Sequence, residues 1–449
     1  MRITVIGTGY LGAVHAACMA DLGHEVLGVD TDAEKIAALA DGRVPFFEPG
    51  LAEVLSRGIG SGALRFGTSL AEAARFGDVH FICVGTPQLP GFQAADLSAV
   101  HAVINGLVPQ VTRDCLMVGK STVPVGTAAH LAARIGQLAP GGVDVELAWN
   151  PEFLREGFAV EDTLRPSRLV AGAASAGAHA TLRVVYAPII HAGVPYIATD
   201  LASAELVKVS ANAFLATKIS FINAIADVCD AAGADINVVA NAMGYDDRIG
   251  RRFLAAGIGF GGGCLPKDIR ALTARAAELG VADSVCFLRE VDDVNMSRRR
   301  RAFEIARDLL GGSFTGRNVA VLGAAFKPAT DDVRDSPALH IATAMQVEGA
   351  RVRVHDPKAA DNARKVSPAL GYALDIEETC EQADIVLHLT EWPQYRDLDP
   401  AALGAIVRRR CLFDGRNALP LDRWRTAGWA VRALGRPAQT AARPAAEHG

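Results

Sequence analysis

The sequence has no apolar run approaching the roughly 18–20 residues needed to cross a bilayer, so no membrane partner is expected. It also lacks an excess of either charge. Its 45 Lys and Arg stand against 50 Asp and Glu, a net charge of −5, with no long block of one sign. That balance excludes the broad electrostatic footprint of a protein that binds nucleic acid or anionic membrane. A Cys-x-x-Cys pair is missing: Cys18, Cys83, Cys115, Cys229, Cys264, Cys286, Cys380 and Cys411 are scattered. Neither a disulfide framework nor a metal site is expected, and the pattern fits a reducing cytoplasm. Signal-peptide organisation is absent too, because Met1-Arg2-Ile3-Thr4-Val5-Ile6-Gly7 reads as a strand entering a turn.

What is present is core-forming material. Half of the 449 residues are hydrophobic and 21% are charged, enough for two or three domains and too apolar for a disordered chain. Strand-like runs at 3–6, 25–29, 79–84, 116–120 and 145–149 alternate with helical segments, the pattern of a parallel, doubly wound sheet. Residues 200–232 hold no strong breaker before Gly233, so they read as one long helix capped by Asp200 or Ser203. Strands resume at 318–322, 351–355, 385–389 and 411–413. The fold class is α/β: two Rossmann-like doubly wound parallel-sheet domains joined by a long central helix. The expected divisions are 1–198, 199–297 and 298–435, followed by a disordered Pro/Ala-rich tail at 436–449. Arg298-Arg299-Arg300-Arg301 would open a helix; four successive helical positions point in different directions and are expected to be solvated.

Two stretches carry chemistry. Gly7-Thr8-Gly9-Tyr10-Leu11-Gly12 fits G-x-G-x-x-G between a strand and a helix, with Asp30 ending the next strand. The glycines allow a tight turn, close approach of a pyrophosphate and helix–strand packing, while Asp30 can accept from a ribose 2′-OH. No arginine at 31–34 is available for a 2′-phosphate, so NAD is favoured over NADP. The second stretch, Gly259-Phe260-Gly261-Gly262-Gly263-Cys264-Leu265-Pro266-Lys267-Asp268, sets a cysteine beside a lysine at a helix start. Both features favour the thiolate, and a thiolate near a nicotinamide suits covalent chemistry on an aldehyde. The other seven cysteines read as inert core residues.

Together with Val84-Gly85-Thr86-Pro87, Ser121–Thr127, Asn150–Gly157, Lys208–Asn212, Arg248-Ile249-Gly250, Phe326-Lys327-Pro328, Asp332-Val333-Arg334 and Asp414-Gly415-Arg416, these motifs resemble the UDP-glucose/GDP-mannose dehydrogenase family over residues 1 to about 420. The resemblance implies a homodimer built on the central helix that oxidises a nucleotide sugar's C6 alcohol to a carboxylate with two NAD⁺. By motif, Cys264 is the nucleophile. Lys208 and Asn212 stabilise the C6 oxygen from one helix face, as an oxyanion hole would. Asp268 and Glu152 handle protons and water, assisted by Thr122.

Gly7, Gly9, Leu11, Gly12, Asp30, Lys35, Thr86, Thr122, Glu156, Lys267 and Arg334 match cofactor contacts. Glu152, Phe153, Leu154, Arg155, Glu156, Lys208, Asn212, Arg248, Phe253, Leu254, Ala255, Ala256, Gly257, Gly261, Lys327 and Arg416 match contacts to the nucleotide sugar. The stretch 248–257 is similar to the UDP-glucose branch, with GDP-mannose or UDP-N-acetylmannosamine as the alternative substrate. A non-catalytic nucleotide-sugar-binding protein and a two-electron hydroxyacid dehydrogenase are the remaining readings; the first would have lost part of the constellation, and the second needs no cysteine. Gly263 departs from the family, many of whose members have Ser before the cysteine, and is expected to tune the site.

Overall fold

A computed structural model describes residues 1–437; most of the tail expected to be disordered lies outside the described residues. The chain divides into two compact units, Met1–Asn212 with Lys267–Val285, and Ala213–Pro266 with the segment from Cys286 onward.

The first unit holds an eight-stranded sheet. Its strands are β1 (Arg2–Ile6), β2 (Glu25–Val29), β3 (Leu64–Gly67), β4 (Val79–Ile82), β5 (Cys115–Gly119), β6 (Val145–Trp149), β7 (Leu169–Ala173) and β8 (Tyr196–Thr199). They run in the order β3-β2-β1-β4-β5-β6-β7-β8. β4, β5 and β7 are buried along their whole length, as continuous Val/Ile/Leu-rich runs with helices on both faces must be. The sheet is not wholly parallel, as the sequence reading had it: β6 and β7 pair antiparallel through Ala148–Ala173 and Trp149–Gly172.

The second unit repeats the plan with β9 (Asn318–Leu322), β10 (Arg351–His355), β11 (Gly371–Tyr372), β12 (Ile385–His388), β13 (Cys411–Asp414) and β14 (Ala430–Ala433). Their order, β11-β10-β9-β12-β13-β14, is the same Rossmann permutation as in the first unit's leading six strands. Both units also use one device at the first strand's end. Asp30, just after β2, accepts the Thr8 N–H at 2.8 Å. Asp356, just after β10, accepts the Ala324 and Ala325 N–H groups at 2.7 and 2.9 Å.

The long helix spans Leu201–Ala232, and Asp200 Oδ1 caps it by accepting from Ser203 N at 2.8 Å. By length and composition it is apolar enough to cross a bilayer, which corrects the expectation that no run approaches that length. Within the protein it buries Glu205, Lys208 and Asn212 in the first unit and Ser220, Ile222, Asn223 and Cys229 in the second. The arginine run does not open a helix. It lies inside Phe287–Leu309, where Arg298 and Arg299 are 0% and 2% exposed, so the expectation of a solvated cluster fails for both.

Candidate active site

In the first unit the glycine turn leaves room for a dinucleotide. Gly7 has φ +89°, and a Cβ there would meet the Val84 backbone at 2.8 Å. A side chain at Gly12 would strike the Gly7 carbonyl, whereas nothing lies within 4 Å of a Cβ at Gly9. The turn is therefore closed on the protein side and open where a pyrophosphate would lie. Asp30 receives Thr8 N and Lys35 Nζ, the latter at 3.1 Å. Burial works against its charge, but N–H donors from Asp32 and Thr8 and the Lys35 ammonium outweigh it and lower its pKa. These residues fit NAD. Leu11 is half-buried beside the turn.

Glu152 and Lys208 form a buried ion pair at 2.9 Å. Glu152 also accepts Leu154 N at 2.7 Å, which folds the 152–156 loop back on its own carboxylate. Lys208 lies 5.6 Å from the Phe153 ring centroid, whose ring Arg168 also covers at 3.9 Å. One turn on from Lys208, Asn212 donates to Asp268 Oδ2 at 2.6 Å, and Lys267 reaches Asp268 Oδ1 at 2.5 Å. Thr86, Thr122, Val209, Lys267, Asp268 and Arg275 share the wall of one cleft, and Thr86 Oγ1 donates to Thr122 O at 2.7 Å. Arg155 instead turns to Asp162 at 2.8 Å on the surface, and Glu156 is partly buried.

Sequence reasoning passed over Lys120 and Glu48. Lys120 is buried at the end of β5 and donates to Asn150 Oδ1 at 3.0 Å, behind the loop that carries Glu152. Burial above all lowers its pKa, to about 8. Its place at a strand's carboxyl end, where α/β sites collect, was the usable signal. Glu48 accepts Gly157 N and Ala159 N at 2.6 and 2.7 Å and the Tyr10 hydroxyl, joining the glycine turn to the end of the 150–157 loop. No sequence pattern announces that contact.

In the second unit Cys264 is exposed and directly precedes the Leu265–Glu278 helix, whose start at Pro266 was read from sequence. Residues 245–264 are largely irregular, a longer non-helical stretch than the Gly257–Gly263 segment read from sequence. Within it Leu254, Ala256, Gly257 and Gly261 are buried, Ala255 is exposed and Phe253 has φ +65°. Arg248 is exposed and paired with Asp246 at 2.7 Å. Arg334 pairs with Asp332 at 2.6 Å, and its guanidinium occupies the space that a side chain at Gly263 would need. Lys327 lies 5.7 Å from the Phe326 ring. Arg416 has its side chain 12% exposed and donates to the carbonyls of Leu389, Gly259 and Phe326 at 2.8, 3.0 and 3.0 Å. Its guanidinium is thus engaged by backbone. Among the described residues no His/Cys/Asp/Glu group is arranged to hold a metal.

Comparison with known proteins agrees with this geometry. The chain matches the UDP-glucose/GDP-mannose dehydrogenase family over its NAD binding domain at 1–190, central domain at 202–297 and UDP binding domain at 320–421. It is 42% identical to a UDP-glucose 6-dehydrogenase of Rhizobium meliloti, over 97% of this chain and 100% of that protein. Identity to the UDP-glucose 6-dehydrogenase YwqF of Bacillus subtilis is 41%, over 98% of both. A UDP-glucose dehydrogenase from Pyrobaculum islandicum superposes with TM-score 0.88 at 40% identity, covering 96% of this chain and 98% of its own. A UDP-D-ManNAc dehydrogenase from Pyrococcus horikoshii gives 0.85 at 26%, covering 97% and 99%. Matches to all three domains of the family, with relatives near 40% identity covered over their full length, leave one conclusion: the chain belongs to the UDP-glucose/GDP-mannose dehydrogenase family.

Proposed function

We propose that the protein oxidises UDP-glucose at C6 to UDP-glucuronate, a four-electron reaction. Full-length identity near 40% to UDP-glucose 6-dehydrogenases carries this reading, with an exposed cysteine at the helix start. Gly7, Gly9, Leu11, Gly12, Asp30, Lys35, Thr86, Thr122, Glu156, Lys267 and Arg334 would hold NAD, which would supply the hydride acceptor, two molecules per sugar.

The protein's own groups do the rest. Lys208 and Asn212 bind the C6 oxygen and stabilise its charge in the alkoxide-like transition states. The Cys264 sulfur adds to the aldehyde carbon, giving a thiohemiacetal; loss of a second hydride and the hydroxyl proton leaves a thioester. Water, its proton taken by Glu152 or Asp268 with Thr122 orienting it, attacks the thioester carbon, and the thiolate leaves. The balance is one alcohol, one water and two NAD⁺ to one carboxylate, two NADH and three protons. Phe153, Leu154, Arg155, Arg248, Phe253–Gly257, Gly261, Lys327 and Arg416 are assigned to the nucleotide sugar and its loop, the cations to the diphosphate.

A homodimer through the central helix is part of the reading. Phe214, Phe221 and Val228 recur every seven residues on that helix and are 66%, 49% and 61% exposed, an apolar stripe that a second copy would cover. Eight free cysteines and the nature of the substrates support a cytoplasmic location.

The test is NADH formed per UDP-glucose at limiting sugar, with the product identified by mass. Two NADH and UDP-glucuronate are expected; one NADH with an aldehyde overturns the four-electron reading. Faster turnover of UDP-N-acetylmannosamine or GDP-mannose would reassign the sugar.

A further inference from the structure

The arginine run remains without a task in this scheme, and its burial needs a cause. Asn295, Arg298 and Arg299 fall at i, i+3 and i+4 on the Phe287–Leu309 helix and so share one face. That face holds the glycine loop that leads to Cys264. Arg298 Nε donates to Gly257 O at 3.3 Å, and Arg299 Nη2 donates to Phe260 O at 3.3 Å. Asn295 brackets the Phe260 peptide, taking its N–H at 2.7 Å and donating to its carbonyl at 3.1 Å. Gly259, between them, has φ +91°, and a Cβ there would meet Asn295 Oδ1 at 2.4 Å. Carboxylates anchor the far sides: Asp227 holds Arg298, and Asp335 holds Arg299 at 2.8 Å. The Asp335 carbonyl also accepts from Arg299 Nη2, at 3.3 Å.

Burying two guanidinium groups is a poor way to gain stability, since well-packed apolar residues in place of buried ion pairs are often neutral or stabilising. Arg298 Nη2 and Arg299 Nε even lie buried without a partner among the described residues, which adds a desolvation cost. What the guanidinium forks supply that an apolar side chain cannot is direction, because each fixes a particular carbonyl.

The geometry points to Arg298 and Arg299, with Asn295, as positioning residues that set the backbone of the loop presenting the Cys264 thiol for attack. This rests on the reading of Cys264 as nucleophile. The arginines do not touch substrate; they act through the carbonyls of Gly257 and Phe260.

Full-length Arg298→Lys, Arg299→Lys and Cys264→Ser variants test it, with thermal melts to establish folding. Lysine keeps the buried charge but loses the fork. The readouts are the rate of Cys264 alkylation by iodoacetamide, located by mass spectrometry, and the kinetics of UDP-glucose oxidation. Each folded lysine variant is expected to change the alkylation rate at least fivefold and to lower kcat at least tenfold, with KM for UDP-glucose within threefold. A residue serving stability alone would lower the melting temperature and leave both rates unchanged below it. Alkylation and kcat within twofold of the unmodified protein, or loss of folding in both lysine variants, overturns the proposal. Normal two-NADH turnover by Cys264→Ser would instead remove the nucleophile reading, and the alkylation rates would still decide whether the arginines set the loop.

Discussion

Lys208 and Glu152 meet across 2.9 Å with their side chains 6% and 13% exposed, so each is the charge that makes burial of the other tolerable. Lys208→Met strands the Glu152 carboxylate, and breaking a buried pair from one side typically costs about 3–5 kcal/mol. Lys208→Met with Glu152→Gln removes both charges and should regain most of that loss in urea melts. Turnover should behave differently. Removing one donor that stabilises a developing oxyanion lowers kcat by about 10²–10³, and the double variant should stay that low. Recovery of turnover in the double variant would show that the pair is scaffold only.

Asp30 should decide between cofactors. Its carboxylate is held ionised by Thr8, Asp32 and Lys35, and in the proposed site it accepts from the cofactor ribose. Hydrogen bonds to charged groups are worth about 1.5–3 kcal/mol. Asp30→Asn should therefore lower kcat/KM for NAD by about 10- to 100-fold and narrow the preference over NADP, because the like-charge repulsion of a 2′-phosphate goes with it. Initial rates with both cofactors check this; an unchanged NAD/NADP ratio would count against Asp30 as the discriminator.

The Phe214, Phe221 and Val228 stripe should set the oligomeric state. Burial of a large apolar side chain is worth about 1.5–3 kcal/mol, and in a symmetric helix pair each substitution counts on both copies. Phe221→Asp should therefore raise the dimer dissociation constant at least 100-fold, read by sedimentation velocity. A dimer unaffected by Phe221→Asp would place the interface elsewhere.

Strands that run as β-branched or Leu-rich segments between turn signals were legible. β2, β6, β9 and β10 fall on the residues read from sequence, and the Asp200 cap fixed the long helix's start. β3 (Leu-Arg-Phe-Gly) and β8 (Tyr-Ile-Ala-Thr) were not, being four-residue edge strands with partly exposed side chains, and β7, β11 and β14 were not read either. The reversal of β7 depends on which strand Ala173 pairs with, and local pattern does not encode that. Of the candidate site, residue types and spacings could be read from the sequence, but not the bonds those residues make. Nothing in Arg-Arg-Arg-Arg says that the first two arginines serve carbonyls 40 residues upstream; that is a tertiary fact about loop 257–260.

Two neighbouring glycines should respond differently to alanine. A Cβ at Gly261 would lie 2.2 Å from the Asp335 carbonyl oxygen and 2.9 Å from Pro337 Cδ, groups that cannot swing aside. Overpacking of that kind costs about 1–3 kcal/mol. The three atoms nearest a Cβ at Gly263 would all belong to the Arg334 guanidinium, the end of a flexible side chain, with Cζ at 2.3 Å. Gly263→Ala or Gly263→Ser should then stay within about 0.5 kcal/mol, as surface changes usually do. The displaced guanidinium should appear instead as a changed KM for NAD. Equal destabilisation at 261 and 263 in urea melts would contradict this.

Lys120 should leave a signature in alkaline stability. Burial, aided by the charge of Lys208, pulls its pKa down to about 8 in spite of Cys83 and Glu152, against the ordinary 10.5. Below about pH 8 both folded and unfolded chains carry the proton, and the full cost of burying the charge is present. Between about 8 and 10.5 the unfolded chain binds more protons than the folded one, so this residue makes stability rise with pH. At 1.36 kcal/mol per unit the rise amounts to about 3 kcal/mol. Thiols that ionise on unfolding in the same window act in the opposite direction, but they do so equally with methionine at position 120. Cys83 itself, pushed up to about 12 by burial, stays protonated in the folded state throughout. The quantity to measure is therefore the difference in unfolding free energy between the unmodified protein and Lys120→Met. That difference should move by about 3 kcal/mol in favour of the unmodified protein between pH 8 and 10.5 and be flat between pH 6 and 7.5. A difference flat across the whole range would mean that Lys120 keeps its ordinary proton affinity and that its hydrogen bonds to Asn150 offset its burial.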